Sequence, residues 1–241
     1  MRPEVSVIMA TGGRGAFLAQ AIRCFRRQTF ASCELVIADD GDDGGVVPRD
    51  PRIRRLQVEP GTTQGEKLNR AAQAAQGALL QKMDDDDWYH PRFLEAMAAA
   101  VRRAGRPAVA GMGRFLALIA ETGALKDSGP GWCAGGTLCF ARALWERTPF
   151  RRVPAKTDYW FMKDWGGEPV RVDRRELYIL VRHGRGHAWT RMGETDVTGW
   201  FARRPDHGRT LAEVVPAPED RAFYASLRAK GAPRGAPALH R

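Results

Sequence analysis

The chain opens on an apolar run, Glu4-Val-Ser-Val-Ile-Met-Ala10, that stops at Thr11-Gly12-Gly13. An uninterrupted β-branched and apolar run bounded by turn formers predicts a strand buried on both faces. Phe17, Leu18, Ala21, Ile22 and Phe25 then recur at helical spacing through Gln28. The alternation continues in the same way. Glu34–Ala38 is a second buried strand, stopped by Asp39-Asp40-Gly41, and Arg54–Val58 a third. Glu66–Gln76 is a helix with Leu68, Ala71, Ala72 and Ala75 inward. Ala78–Met83 is a fourth strand, ending in Asp84-Asp85-Asp86-Asp87, and Pro91 begins a helix that runs through Arg103. Strands alternating with helices at this spacing predict an α/β fold with a mostly parallel, doubly wound sheet. Such sheets bind ligands at the carboxyl ends of their strands. Three of those ends carry polar clusters: Thr11–Arg14, Asp39–Asp43 and Asp84–Asp87.

The second half is less regular. Val109–Ile119 reads as one or two strands, and Ser128–Gly136 as a glycine-rich loop before the apolar segment Thr137–Trp145. Tyr159–Trp165 reads as a short helix and Leu177–Val181 as a strand. An amphipathic stretch follows Thr190, and a Pro/Gly/Arg-rich end from Gly231 is expected to fray. The 241 residues suit one large domain over 1–230, in two halves of 1–105 and 106–230, with a flexible tail (231–241).

Composition narrows the setting. No stretch reaches the roughly 18 apolar residues a membrane span requires, and the N-terminus lacks a secretory design. Cys24, Cys33, Cys133 and Cys139 fit no zinc or redox spacing and read as reduced core thiols, which points to the cytoplasm. The formal net charge of +10, carried overwhelmingly by arginine, suits nucleotide phosphates or peripheral contact with anionic lipid. No dense basic helix face or aromatic–basic strand pattern supports nucleic-acid binding.

Four consecutive aspartates repel one another unless a cation or basic groups neutralise them. A hard divalent ion, Mg²⁺ or Mn²⁺, prefers carboxylate oxygen and shares its shell with substrate phosphate. The flanking Leu79-Leu80, Met83, Trp88-Tyr89 and Phe93-Leu94 pin this loop on both sides.

Here the chain resembles the family 2 glycosyltransferases of the GT-A fold, whose signature ends a strand as Leu-Asp-x-Asp-Asp-x-x-x-Pro. Met83-Asp84-Asp85-Asp86-Asp87-Trp88-Tyr89-His90-Pro91 is similar to it. The resemblance implies that Asp84 and Asp86 are the signature carboxylates, with Asp84 and Asp85 on the nucleotide sugar and Asp86 on the metal. A run of identical residues leaves that register open by one position. Val5–Thr11 resembles the family's opening strand, although Ala10-Thr11-Gly12-Gly13 replaces its Pro-x-Tyr-Asn. Asp39 matches the aspartate that contacts the nucleobase, and Thr11 and Arg14 fall in the loop that grips the donor. Lys67-Leu68-Asn69-Arg70 matches the helix whose basic residues approach the diphosphate, so Lys67 and Arg70 join the donor-binding set.

Past residue 100 the resemblance thins. Trp132-Cys133-Ala134-Gly135-Gly136 is similar to the segment where donor sugar and acceptor meet, making Trp132, Gly135 and Gly136 acceptor-binding. Lys156-Thr157-Asp158-Tyr159 falls where the family shows Glu-Asp, so Asp158 inherits the general-base role, with an N-cap role and the rival Asp164 left open. Arg182-His183-Gly184 resembles the family's late Arg-His-Gly, so His183, or alternatively His187, completes the metal shell. The implied activity is metal-dependent transfer of a sugar from a UDP or GDP donor to a hydroxyl of a glycan, glycolipid, peptide or small molecule, with inversion. Two other readings are a nicotinamide-dependent oxidoreductase and a silent nucleotide-sugar-binding module. The first needs a complete Gly-x-Gly-x-x-Gly, which Gly12-Gly13-Arg14-Gly15 does not supply.

Overall fold

The computed structural model describes residues 2–41, 49–105, 107–183, 201 and 203–228. In chain order the first half consists of β1 (Val5–Thr11), α1 (Gly15–Arg26), β2 (Cys33–Asp39), β3 (Ile53–Gln57), α2 (Gln64–Ala74), β4 (Leu79–Lys82), β5 (Trp88–Tyr89) and α3 (Phe93–Arg103). It continues with β6 (Val109–Met112), β7 (Leu116–Ile119), β8 (Ala124–Asp127), β9 (Cys139–Ala141), α4 (Arg142–Arg147), α5 (Thr157–Trp165), β10 (Val170–Val172) and β11 (Tyr178–Arg182). Two helices, α6 (Leu211–Val214) and α7 (Pro218–Ser226), follow.

Among the described residues, one sheet has the order β10-β6-β9-β4-β1-β2-β3. β1 pairs in parallel with both β2 and β4, and β2 with β3. The chain winds outward from β1 to β3, then returns to place β4 on the other side of β1. That reversal opens a crevice above the carboxyl ends of β1 and β4. The sheet departs from the parallel expectation at one strand: β9 runs antiparallel to both β4 and β6.

The apolar runs follow from burial on both faces. Val5, Val7 and Met9 enter one hydrophobic cluster with Leu18, Phe25 and Phe93 of α1 and α3. The alternate residue Ile8 joins Leu68 and Ala72 of α2, with Leu144 and Phe161 of α4 and α5, in a second cluster. A strand covered by helices on both sides has no solvent face, so its sequence shows no alternation. Cys24, Cys33 and Cys139 are buried free thiols and Cys133 is half-buried.

A second sheet, β5-β11-β7-β8, was not legible in the sequence. The sequence predicts strands at Leu177–Val181 and the end of Val109–Ile119, which are β11 and β7, but neither β5 and β8, of two and four residues, nor the pairing of the four. The sheet places β11 directly against the end of the aspartate run, through Tyr178 opposite Tyr89 and Ile179 opposite Trp88. No helix among the described residues is long and apolar enough to cross a membrane. The tail 231–241, His187, Asp42, Asp43 and the start of the amphipathic stretch after Thr190 lie outside the described residues.

Candidate active site

The pairing of β1 and β2 ends with Thr11 opposite Asp39, which brings two of the three polar clusters side by side. Asp39 is buried; its Oδ1 accepts the Gly41 N–H at 2.8 Å and its Oδ2 meets Arg55 Nη2 at 2.7 Å. Lys67, in the first turn of α2, donates from Nζ to the Thr11 carbonyl at 2.9 Å and to Asp40 Oδ1 at 2.7 Å. It thereby ties the ends of β1 and β2 to the helix. The replacement of the family's larger residues by Gly12 has a steric cause: a Cβ there would overlap Asp40 Oδ1 and lie 3.3 Å from Lys67 Nζ.

The four aspartates separate into different environments. Asp87 is buried, accepting Tyr178 Oη–H at 2.5 Å and the Val181 N–H at 2.8 Å, while its carbonyl accepts Tyr224 Oη–H at 2.9 Å. It joins the aspartate loop to β11 and α7. Asp85 is also buried, accepting Thr11 Oγ1–H at 2.6 Å and Arg14 Nη1 at 2.8 Å. Asp84 and Asp86 keep side-chain exposures of 32% and 23%, against 5% for Asp85. Asp84 and Asp86 are thus the two more open carboxylates of the run.

Lys82 Nζ meets Asp84 Oδ1 at 2.5 Å from inside the sheet. Asp86 Oδ2 lies 2.9 Å from Arg14 Nη2 and 3.1 Å from His183 Nε2. Burial opposes the Asp86 charge, but the His183 hydrogen bond and Arg14 hold its carboxyl well below the usual range. Burial pushes Asp85 up to about 7 against the pull of Arg14, and lifts Asp84 and Asp87, with neighbouring acids adding to the rise. Burial also works against the Lys82 ammonium; Asp84 and Asp158 more than offset it and raise its pKa.

The second half closes over this surface through Gly135-Gly136. A Cβ on Gly135 would overlap Asp158 Oδ2, and one on Gly136 would sit 2.8 Å from Asp84 Oδ2 and 3.1 Å from Asp87 Oδ2. The Gly136 carbonyl accepts Tyr89 Oη–H at 2.8 Å, and the same hydroxyl accepts the Asp84 N–H at 2.7 Å. The two glycines therefore form a thin backbone wall with Asp158 on one flank and the aspartate loop on the other. Asp158 is half-buried in the first turn of α5. The helix's N-cap is Lys156, so Asp158 is not the capping residue. Lys156 has φ 58°, the one positive value outside glycine among the described residues. Such a conformation costs of order 1–3 kcal/mol and persists only where surrounding structure imposes it.

Other candidates sit apart. Arg70 is exposed and pairs with Glu66 one turn away at 3.0 Å. Trp132 stacks on Phe201 with centroids 5.8 Å apart, and its Nε1–H donates to the Ser128 carbonyl at 3.2 Å. Asp164 is held by two 2.7 Å bonds from Arg151. Sequence reasoning passed over Lys82, Arg55 and Tyr89. Lys82 had a signal: a lysine at the last position of an otherwise buried strand, two residues before an acid. Arg55 and Tyr89 had none: Arg55 meets Asp39 across the sheet, and the Tyr89 hydroxyl joins the Asp84 N–H to the distant Gly136 carbonyl.

The donor chemistry suits a hard divalent ion. Among the described residues no three His, Cys, Asp or Glu side chains converge as a metal site; Asp86 Oδ2 and His183 Nε2 lie 3.1 Å apart. One carboxylate and one imidazole, with substrate oxygens and water completing the shell, is a set such ions accept.

Comparison with known proteins agrees with this geometry. Residues 6–116 match the family model for glycosyl transferase family 2. The chain is 26% identical over 133 residues to the putative glycosyltransferase EpsH of Bacillus subtilis (strain 168), covering 52% of this chain and 38% of EpsH. It is 28% identical over 104 residues to the putative colanic acid biosynthesis glycosyl transferase WcaA of Escherichia coli (strain K12), covering 40% of this chain and 37% of WcaA. These matches thus span well under half of either relative. Among solved structures, S. aureus TarS 1-349 in complex with UDP-GlcNAc superposes with a TM-score of 0.59 at 16% identity, covering 78% of this chain and 60% of that one. The mannosyltransferase PcManGT from Pyrobaculum calidifontis, in complex with GDP-Man and Mn²⁺, superposes with a TM-score of 0.57 at 20% identity, with the same coverages of 78% and 60%. At such identities the likeness is one of fold, and that fold is GT-A. Residues 6–116, which carry the Thr11, Asp39 and aspartate loops, are thus the part of the chain that is similar to glycosyl transferase family 2.

Proposed function

We propose that the chain transfers a sugar from a nucleoside-diphosphate donor to an acceptor hydroxyl with inversion, and that residues 1–230 form the catalytic unit. One observation carries the reading: Asp158 and Asp84 flank the same diglycine wall, so a base and a donor-binding acid face one small region. The solved neighbours hold UDP-GlcNAc and GDP-Man, and UDP or GDP sugars are accordingly the donors to test here. Asp39 and Thr11 hold the nucleoside, with Lys67 fixing both loop backbones from behind. Arg14, Asp84 and Asp85 line the path of the diphosphate.

Mn²⁺ or Mg²⁺ is the proposed cofactor, held by Asp86 and His183, and when bound it would neutralise charge on the departing diphosphate. Asp158 takes the proton of the attacking hydroxyl while the oxygen approaches the anomeric carbon opposite the leaving group. Lys82 keeps Asp84 paired and supplies positive charge beneath both carboxylates. Gly135 and Gly136 let the acceptor come close to the backbone, and Trp132 offers an aromatic edge at the rim. The acceptor is a hydroxyl of a glycan, glycolipid, peptide or small molecule. Four free thiols suit the reducing cytoplasm, and the arginine-rich surface suits peripheral contact with an anionic membrane.

Asp158→Asn tests the reading. Transfer should fall at least about 10³-fold, in the range expected for loss of a general base, while UDP or GDP affinity measured by calorimetry stays within about twofold. Near-normal turnover in this variant removes Asp158 as the base.

A further inference from the structure

Arg14 occupies the place the proposed cation needs. Its Nη1 meets Asp85 Oδ1 at 2.8 Å, and its Nη2 meets Asp86 Oδ2 at 2.9 Å. The same Nη2 lies 3.3 Å from His183 Nε2. Asp86 Oδ2 and His183 Nε2 are the two atoms assigned above to the metal. An ion of this type binds oxygen at about 2.0–2.2 Å, so one held by both atoms would sit where Arg14 now makes its hydrogen bonds. A guanidinium stays charged at all relevant pH, and two cations do not share that space.

His183 adds a second constraint. Its Nε2 can donate to Asp86 or accept from Arg14, but one nitrogen cannot do both. Either way the lone pair that a metal would use is taken up, by the proton in the first case and by the arginine in the second. Phe17 supports both partners, with the Arg14 guanidinium 4.3 Å from its centroid and the His183 ring 4.7 Å away. Arg14 itself sits in the loop between Gly13 and Gly15, at the start of α1.

We infer that Arg14 is an exchangeable counter-cation: without donor it closes the Asp86–His183 pair, and on donor binding it moves to the diphosphate and frees the pair for the divalent ion. Nucleoside diphosphate and metal then bind with positive coupling, and each raises the affinity for the other by the same factor. The inference rests on the metal assignment made under the proposed function and adds a competitor for it.

Free Mn²⁺ measured by electron paramagnetic resonance during titration tests this without turnover. Wild type, Arg14→Gln and Arg14→Lys are each titrated with Mn²⁺ alone and with saturating UDP or GDP. Wild type should bind Mn²⁺ weakly alone and about tenfold or more tightly with the nucleotide, within the usual range of coupling. Arg14→Gln should bind Mn²⁺ alone at least about tenfold more tightly than wild type and lose most of the nucleotide effect. Arg14→Lys, which keeps the charge but not the fork, should fall between them and serves alone if the glutamine variant fails to fold.

Equal or weaker Mn²⁺ binding by the variants, with the nucleotide effect intact in wild type, overturns the counter-cation and leaves the proposed function standing. Tighter binding by the variants without any nucleotide effect in wild type overturns the exchange. Absence of Mn²⁺ binding by every protein in every condition removes the metal assignment and this inference together.

Discussion

At the scale of single residues, four chemically identical side chains have different environments within one short loop. Asp87 points into the junction of the two sheets, where it accepts from Tyr178 and the Val181 N–H. Asp86 shares a partly open face with Asp84. Removing the Asp87 carboxyl orphans a buried backbone donor, which costs about 1–3 kcal/mol. Asp87→Ala should therefore lower the unfolding free energy measured by chemical denaturation by that amount, while Asp87→Asn, which keeps an acceptor for Val181, should lose less than half as much. Asp86→Ala should leave chemical denaturation within about 1 kcal/mol of wild type, as expected away from the core, yet abolish nucleotide-dependent Mn²⁺ uptake. Equal destabilisation by Asp86→Ala and Asp87→Ala would refute this division of roles. The chain spells Asp-Asp-Asp-Asp and cannot distinguish among them; their separate contacts with Lys82, Thr11, Arg14, His183 and β11 do.

At the scale of elements, short loops with small residues bring the strand ends together. Gly12 allows Asp40 and Lys67 to meet behind the end of β1. Gly12→Ala would place a methyl group on Asp40 and should break that clamp, weakening nucleotide binding by about tenfold or more, the size of one lost charged hydrogen bond. Gly135 performs the matching task for α5. Gly135→Ala should push Asp158 out of position and reduce transfer by about 100-fold, a misplacement penalty typical of reacting groups moved by an ångström. Its nucleotide affinity should change little, because the donor loops lie across the wall. A Gly135→Ala enzyme with normal turnover and weakened nucleotide binding would reverse that assignment. The first half of the chain was legible at this scale because its strands are unbroken apolar runs and its helices have a local period. Lys156 was not: nothing in its sequence neighbours requires a left-handed backbone.

At the scale of the whole molecule, the acids crowd beneath an arginine-rich chain of net charge +10. Asp84, Asp85 and Asp87 bind protons more tightly folded than unfolded, with Asp85 raised to about 7. Between about pH 4, the unfolded carboxylate range, and pH 7 the folded state then holds more protons. Stability contributed by these groups is full below that window and falls as pH rises through it. Thermal unfolding of the metal-free protein should show this decline, and Mn²⁺ with UDP or GDP should flatten it. A stability profile that rises steadily from pH 4 to 7 and ignores added metal would contradict the burial of these carboxylates.

Sequence alone determined the doubly wound first half and the convergence of the Thr11, Asp39 and Asp84–Asp87 termini. It could do so because a strand buried on both faces leaves an unbroken apolar run, and a helix buried on one face a helical period, within a few residues. Tertiary structure alone decided which acids stay open, that Arg14 and Lys82 neutralise them, and that Asp158 meets Gly135 while Arg70 turns outward. Those outcomes depend on contacts between residues far apart in the chain, such as Arg14 with His183 and Asp87 with Val181. Distance along the sequence erases local pattern, and only packing restores the proximity on which charge and sterics act.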